Sequence, residues 1–285
     1  MPNRNLLLSI ILFFCSCEEK KNCDGEVELW GVCYSIESTI LLNLADRGIN
    51  GSIPIEIGEL VNLTELNLSN NQLEGKIPKE IGNLINLNSL ILEQNNLEGT
   101  IPKEIGNLSN LLILDLSLNN LSGIVPYQLG NLSELNYLNL NWNKLSGEIP
   151  SDIGSLSMLR YLGIGSNRLN GNLPPELGDL INLTYLGLSD NFLRGDIPSD
   201  LGALTSLTYL GLGSNIIGGE IPHELGSLTN LTNLNLENNE LTGIIPENFC
   251  NQGDDSPNLR NNKLCPPYPA CIGDISASQD TLMCN

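Results

Sequence analysis

Tyrosines at a fixed interval are the residues best suited to recognition chemistry in this 285-residue sequence. They recur at every twenty-fourth position, at Tyr137, Tyr161, Tyr185 and Tyr209. Three of them have a glycine two positions later, at Gly163, Gly187 and Gly211, and Trp142 lies in the same region. Each tyrosine offers an apolar ring and a hydroxyl that donates and accepts hydrogen bonds. Such a set predicts non-covalent binding of a ligand rather than bond-making chemistry.

Candidate sets for catalysis or metal binding are weak by comparison. The sequence has one histidine, His223, and it contains no HExxH, GxSxG or phosphate-binding-loop motif. Residues 163–165 and 211–213 begin like a dinucleotide fingerprint, but Arg168 and Ile216 stand where its third glycine belongs. We therefore predict a protein that is not an enzyme and that uses no cofactor and no metal.

The overall charge and composition restrict both the partners and the fold. There are 13 Lys and Arg against 33 Asp and Glu, a net charge of −20, which argues against nucleic acid because its phosphates attract basic surfaces. Hydrophobic residues make up 41% of the chain but aromatic residues only 5%. This composition favours a repeated stack of thin layers, rich in leucine and isoleucine, over one large core.

The N-terminal segment, residues 1–16, has the features of an export signal. Arg4 is basic, and residues 6–14 (LLLSIILFF) form an apolar run that is too short to span a bilayer. Residues 14–17 (FCSC) resemble the lipobox of bacterial lipoproteins, in which a cysteine after a small residue carries the lipid. That resemblance implies a lipidated Cys17, an anchor at the outer cell surface and no other membrane contact. An ordinary secretory signal, which would give a secreted chain, is the alternative.

Cysteine usage agrees with export. If the signal is removed and Cys17 carries lipid, six cysteines remain, at Cys23, Cys33, Cys250, Cys265, Cys271 and Cys284. An even number of cysteines in an exported chain predicts disulfide bonds.

One constant period, the same as that of the tyrosines, runs through most of the sequence. Asparagine recurs at this interval, at Asn71, Asn95, Asn119, Asn143, Asn167, Asn191, Asn215 and Asn239. Proline recurs in the same way from Pro54 to Pro246, and glycine from Gly51 to Gly243. Nine units of fixed length predict a solenoid, in which each unit packs against its neighbours.

Each unit is interpreted as one coil. The alternation in LxLxxN, as in residues 66–71, predicts a short strand with leucines inward, and the asparagine amide is expected to bond the backbone of neighbouring coils. The Ile-Pro pair predicts extended chain, with proline as the first residue of a short helical turn. The acid that follows, as at Glu80, opposes the dipole of that turn and is not taken as a cation site.

The pattern LxxLxLxxNxLxGxIPxxIGxL over residues 40–250 resembles the plant-specific subclass of leucine-rich repeats. The resemblance implies an α/β solenoid: a right-handed arc with a parallel β-sheet on its concave face, short helical or 3-10 turns on its convex side, and disulfide-bonded caps. Residues 1–16 are then the signal, 17–39 the tether and N-terminal cap, 40–250 the nine repeats and 251–285 the C-terminal cap. A Cys23–Cys33 bond is implied, whereas the four C-terminal cysteines allow three pairings.

The tyrosines then point outward from adjacent concave strands, which leaves two interpretations open. Their rings either stack and stiffen the coils, as simple duplication of a repeat would also produce, or line a binding slot with Gly163, Gly187 and Gly211 as its floor. Stacked rings have no free faces for sugars. Stacking would therefore favour a protein or peptide ligand over carbohydrate, which stays a possible partner.

The resulting hypothesis is a monomeric, non-catalytic cell-surface protein that binds a protein or peptide on its concave face. One alternative is a soluble plant-type inhibitor or receptor-like ectodomain, which would carry no lipid. Another is a structural or adhesive spacer, which would have no selective ligand.

Overall fold

The structure is a computed structural model that describes residue 23 and residues 25–273 and 275–284. The export signal and the predicted lipidation site, Cys17, lie outside these residues. In the part of the chain that the structure describes, no helix is both long enough and apolar enough to cross a membrane.

Nine short parallel strands form the main sheet of the described chain, which we call the concave sheet. They are Leu41–Asn43, Glu65–Asn67, Ser89–Ile91, Ile113–Asp115, Tyr137–Asn139, Tyr161–Gly163, Tyr185–Gly187, Tyr209–Gly211 and Asn233–Asn235. The strands pair in register, so that Leu162 lies beside Leu138 and Leu186. Side chains alternate along a strand, so this central leucine is buried and the residues on either side of it point outward.

A second run of parallel strands lines one side of the coils, and we call it the lateral sheet. Six strands are continuous: Asn50–Ser52, Gln72–Lys76, Asn96–Gly99, Asn120–Gly123, Lys144–Gly147 and Arg168–Leu169. The series goes on as two pairs, Arg194–Gly195 with Ile216–Ile217 and Thr242–Ile244 with Lys263–Cys265. The repeated glycine lies here at positive φ, for example 79° at Gly147, a conformation that residues with a Cβ rarely adopt.

The opposite side of each coil is a short 3-10 turn. These turns are Ile55–Glu59, Lys79–Asn83, Lys103–Asn107, Tyr127–Asn131, Ser151–Ser155, Pro175–Asp179, Ser199–Ala203, His223–Ser227 and Glu247–Asn251, with a shorter one at Ser276–Ser278. The repeated proline precedes the turn and is not its first residue, which corrects the sequence prediction. Pro150, for example, has φ −64° and ψ 134°, and this ψ is extended rather than helical.

Leucine and isoleucine from every coil form one continuous core. Leu162, Leu186 and Leu210 on successive concave strands are completely buried, as are Ile153 and Leu177 in the turns. Each coil is too thin to bury these side chains alone, so the stack of coils is the stabilising unit.

The repeated asparagines form the predicted ladder between coils. Asn143 Oδ1 accepts a hydrogen bond from Leu121 N–H of the preceding coil at 2.9 Å. Its Nδ2 donates to the carbonyl oxygens of Leu116 at 3.0 Å and Leu140 at 3.2 Å. The ladder continues at Asn262, which is 2% exposed and donates to the carbonyl of Leu236. Side-chain amides thus satisfy backbone groups that the coil buries without a strand partner.

Disulfide-bonded caps close both ends of the core. In the N-terminal cap, the disulfide Cys23–Cys33 links the segment before a β-hairpin to the second strand of that hairpin, whose strands are Glu26–Leu29 and Val32–Ser35. In the C-terminal cap the bonds are Cys250–Cys271 and Cys265–Cys284, which resolves the three pairings that the sequence left open. The caps cover apolar ends that would otherwise be exposed to water.

Candidate ligand-binding surface

Four tyrosine side chains form a continuous stack on the concave sheet. Strand pairing places Tyr137, Tyr161, Tyr185 and Tyr209 side by side in that order. Neighbouring ring centroids are 4.4, 4.3 and 4.3 Å apart, and the angles between ring planes are 16°, 9° and 7°. Each inner ring has both faces covered by its neighbours, while every one of the four residues stays partly exposed. We call this set the tyrosine surface.

The glycines beside the stack do not form an open floor, and this corrects the slot that the sequence suggested. Gly163, Gly187 and Gly211 are buried. A Cβ added at Gly187 would lie 2.7 Å from Cε1 of Tyr185, so the ring lies across the glycine of its own strand. The ring thus fills the space assigned to a ligand backbone or a sugar ring. With the ring in this position, a side chain at Gly187 would force the ring of Tyr185 to shift.

Asparagine side chains hold the hydroxyl ends of two tyrosines. Asn139 Nδ2 donates to the hydroxyl of Tyr137 at 3.1 Å, and Asn141 Nδ2 donates to that of Tyr161 at 3.4 Å. Asn141 Oδ1 in turn accepts a hydrogen bond from the N–H of Gly165 at 2.6 Å. These bonds fix the orientation of the rings at one end of the stack.

The concave sheet is polar on the N-terminal side of the stack. We call strands Glu65–Asn67, Ser89–Ile91 and Ile113–Asp115, with the residues that follow them, the polar surface. Asp115 is 7% exposed, and its Oδ1 accepts hydrogen bonds from Ser117 N–H at 3.0 Å and from Ser117 Oγ at 2.6 Å.

Glu93 is the neighbouring acid on the polar surface. Partial burial, followed by repulsion from Asp115, raises the pKa of Glu93 above its usual value.

The phenols of the tyrosine surface are neutral at physiological pH. Burial is the largest cause that raises the pKa of each of the four tyrosines above the usual 10.0. For Tyr209, the neighbouring Tyr185 hydroxyl and then the Asp190 carboxylate raise the pKa further. The surface therefore presents protonated hydroxyls, which are able to donate as well as accept hydrogen bonds.

Trp142 borders a small cavity beside the tyrosine surface, where the chain leaves the C-terminal ends of the strands. The cavity has a volume of about 210 Å³ and is lined by Asn141, Trp142, Gly165, Ser166, Tyr185, Gly187, Ser189, Asp190 and Tyr209. The backbone of Trp142 has φ 57°, and its side chain is 62% exposed. We call this space the Trp142 cavity.

A larger depression lies away from the tyrosine surface, beside the lateral sheet. This lateral cleft has a volume of about 500 Å³, and Lys76, Lys79, Lys103, Ile124 and Tyr127 are among the residues that line it. Within the described ranges, no group of three or more His, Cys, Asp or Glu residues is placed to hold a metal ion.

The structure brings the predicted site residues together in one region of the concave face. Tyr185, Tyr209, Gly187 and Trp142 line a common cavity, whereas Tyr137, Tyr161, Gly163 and Gly211 belong to the stack beside it. That these residues bind a ligand stays a prediction.

Sequence reasoning missed Ser189 and Asp190 as members of the site. For Asp190, the available signal was its position just before the ladder asparagine, which it shares with Trp142 and where the backbone has positive φ. A residue with positive φ just after a strand turns the chain out of the strand direction, so its side chain does not follow the inward–outward alternation of strand residues.

Comparison with known proteins identifies the repeats. A model described as leucine-rich repeat region matches residues 110–252, and a model of the leucine-rich repeat matches residues 62–84 and 86–108. No curated protein sequence gives a significant match.

Three solved structures illustrate the range of similar proteins. The Arabidopsis receptor kinase HAESA, in complex with the peptide hormone IDA and the co-receptor SERK1, is 37% identical over 79% of this chain and 38% of its own, with a TM-score of 0.73. A plant ice-binding protein is 30% identical over 82% of this chain and 76% of its own, with a TM-score of 0.64. A leucine-rich-repeat protein of Leptospira interrogans is 32% identical, covers 78% and 61%, and has a TM-score of 0.59.

These comparisons agree with the fold described above. The chain spans only 38% of the HAESA structure, but 76% of the ice-binding protein. In the structure, each coil adds one parallel strand to the concave sheet and stacks on the coil before it. Half of the chain matches the repeat-region model. The protein belongs to the leucine-rich-repeat family.

Proposed function

We propose that this protein is an exported, non-catalytic binding protein that recognises a protein or peptide partner on the tyrosine surface. The observation that carries the proposal is the stack itself: four aligned rings that cover each other's faces and leave their edges partly exposed. A sugar binds an aromatic side chain through the ring face, so covered faces favour a polypeptide over a carbohydrate.

The stack also has the properties of the centre of a protein interface. Tyrosine is enriched in interface cores and among residues that dominate binding energy, and charged residues are depleted there. The outward positions of strands Tyr161–Gly163, Tyr185–Gly187 and Tyr209–Gly211 carry no charge. Rings that are already packed lose little conformational freedom when a partner binds.

Similarity to receptor ectodomains supports a peptide partner. HAESA was solved with a peptide hormone bound, and this chain is 37% identical to it. Because the chain covers 38% of that protein, peptide binding is proposed here and not taken over with the receptor's other activities.

Export is part of the same proposal. Three disulfide bonds favour an oxidising compartment. Attachment to the outer cell surface through a lipid on Cys17 stays a proposal, with secretion of a soluble chain as its alternative. Residues 40–250 are proposed as nine repeats, and a monomer as the working state.

The test uses a displayed library of random linear peptides, selected on the purified protein. Peptides that bind are measured again on a variant with Tyr161→Phe, Tyr185→Phe and Tyr209→Phe, which keeps the rings and removes three hydroxyls. We expect binding to weaken at least about tenfold, since each lost hydrogen bond contributes about 0.5–1.5 kcal/mol. Tyr127→Phe, an exposed tyrosine outside the tyrosine surface, is the control.

Unchanged binding by the triple variant would contradict the proposal and leave the stack a purely structural feature. Selected peptides that lose affinity equally through Tyr127→Phe would also contradict it. Alanine variants are less informative, since they remove the stacking that stabilises the coils as well as the hydroxyls.

A further inference from the structure

We propose that the Trp142 cavity is a specificity pocket that accepts a basic side chain, lysine or arginine, of the bound partner. The inference rests on the proposed function, because it assigns part of the partner to part of the same surface. Three groups that line the cavity carry it: an exposed indole, a carboxylate without a cationic partner and a buried hydroxyl without a hydrogen-bond partner.

Trp142 is the exposed aromatic residue among those that line the cavity. Its side chain is 62% exposed although it is among the largest apolar groups of the chain. The same cavity is bordered by Tyr185 and Tyr209, whose stacked rings are partly buried. Tryptophan is the aromatic side chain that attracts a cation most strongly through its ring face.

The carboxylate of Asp190 lies on the same cavity. It is exposed, and its Oδ2 accepts a hydrogen bond from Ser166 Oγ at 3.5 Å. Over the described residues, no lysine, arginine or histidine forms an ion pair with Asp190. This carboxylate is therefore available to pair with a cation from outside the chain.

Ser189 supplies the third group. Its Oγ is buried and makes no hydrogen bond within the described structure. Buried polar atoms are nearly always satisfied, and an unsatisfied one is costly. Ser189 lines the cavity, and rotation of its side chain would turn this hydroxyl toward a group bound there. A serine hydroxyl both donates and accepts, so it can accept from an ammonium or guanidinium group, while Asp190 supplies the preference for a cation.

The size of the cavity limits the occupant to a side chain. At about 210 Å³ it is smaller than the roughly 300–1,000 Å³ pockets that hold drug-sized ligands. The net charge of −20 would draw a basic partner toward the protein, and Asp190 with Trp142 would select the residue that enters.

The first experiment uses small probes and the two tryptophans of the chain, Trp30 and Trp142. In a Trp30→Phe variant, Trp142 is the sole tryptophan fluorophore. We expect saturable quenching or a spectral shift with N-acetylarginine amide and N-acetyllysine methylamide, and none with N-acetylcitrulline amide, which has the same shape without the charge. In the unsubstituted protein, the two indole N–H signals in NMR spectra provide the same readout if Trp30→Phe disturbs the cap.

Variants then assign the binding to the cavity. Asp190→Asn should weaken arginine binding about tenfold or more, and Ser189→Ala about threefold. Asp46→Asn is the matched control, because Asp46 is an exposed acid with positive φ at the equivalent position of the first coil. The inference is overturned if citrulline binds as well as arginine, if no probe gives saturable binding, or if Asp46→Asn has the same effect as Asp190→Asn.

The peptide library separates this inference from the proposed function. If selected peptides depend on the tyrosine hydroxyls, but show no enrichment of lysine or arginine that Asp190→Asn removes, the pocket is wrong and the function stands. If the arginine probe binds at the cavity, but no peptide depends on the hydroxyls, the proposed function is wrong and the cation site stands.

Discussion

The tyrosine surface and the polar surface occupy the same strand positions on one sheet, yet their side chains behave differently. In the tyrosine surface, rings stack across strands and glycines beneath them leave room for the rings. In the polar surface, Asp115 and its neighbours satisfy one another through hydrogen bonds. The shared backbone shows that the scaffold does not decide this difference; the outward residues do.

The comparison implies that the two surfaces rest on equivalent scaffolds. Asn95 below the polar surface and Asn191 below the tyrosine surface make the same four hydrogen bonds to the backbone. Asn95→Ala and Asn191→Ala should therefore each lower the free energy of unfolding by about 2–4 kcal/mol, because buried backbone groups lose their partners. Urea unfolding followed by circular dichroism measures both losses. A difference of more than about 1.5 kcal/mol between them would contradict a uniform scaffold.

Substitutions at the last residue of a concave strand should change stability unequally in the two surfaces. Gly187→Ala places a Cβ where the Tyr185 ring lies, so we expect a loss of about 1–3 kcal/mol and a reduced tyrosine signal in near-ultraviolet circular dichroism. Asn67→Ala, at the equivalent position of the polar surface, removes the two hydrogen bonds that Asn67 Oδ1 accepts from Ser69 N–H and Ser69 Oγ, and should cost about 1 kcal/mol without changing the tyrosine signal. Equal effects would mean that the ring does not need the glycine.

Much of this architecture is predictable from the sequence, because the repeat has a fixed length and the structure expected for one coil applies to the next. The strands, the inward leucines and the bonds of the asparagine ladder follow from residues such as Leu162 and Asn143. Residues 259–264 (LRNNKL) are recognisable as a degenerate further turn, but Asn262 stands one position short of the regular interval after Asn239, so the period alone does not assign it to the ladder.

The parts that the sequence did not reveal depend on how side chains fill space between coils. The ring of Tyr185 could lie over Gly187 or point away from it, and the sequence spacing of the two residues does not distinguish these orientations. The Trp142 cavity combines Trp142 with Ser189 and Asp190, which belong to the second coil after its own. Only the stacking of the coils brings them together.

The smallest predicted effect concerns the acid of the polar surface. Because the pKa of Glu93 is raised, the folded protein holds this proton more tightly than the unfolded chain, and stability falls as pH rises from about 4.5 through the raised pKa. Glu93→Gln cannot ionise, so its stability relative to the unsubstituted protein should increase over this window, by about 0.5 kcal/mol or less because solvent screens a partly exposed group. Urea midpoints between pH 4 and pH 7 test this. Ser89→Ala, which changes no titratable group, should show a constant difference.

The location of binding is the central claim, and hydrogen–deuterium exchange tests it most directly. A peptide selected from the library is added to the unsubstituted protein, and amide protection is mapped along the chain. The account predicts protection confined to the strands and strand ends between residues 137 and 213, with none in the polar surface or the lateral cleft. Protection centred on residues 65–93, or on the lateral-cleft residues 76–79 and 100–104, would contradict it.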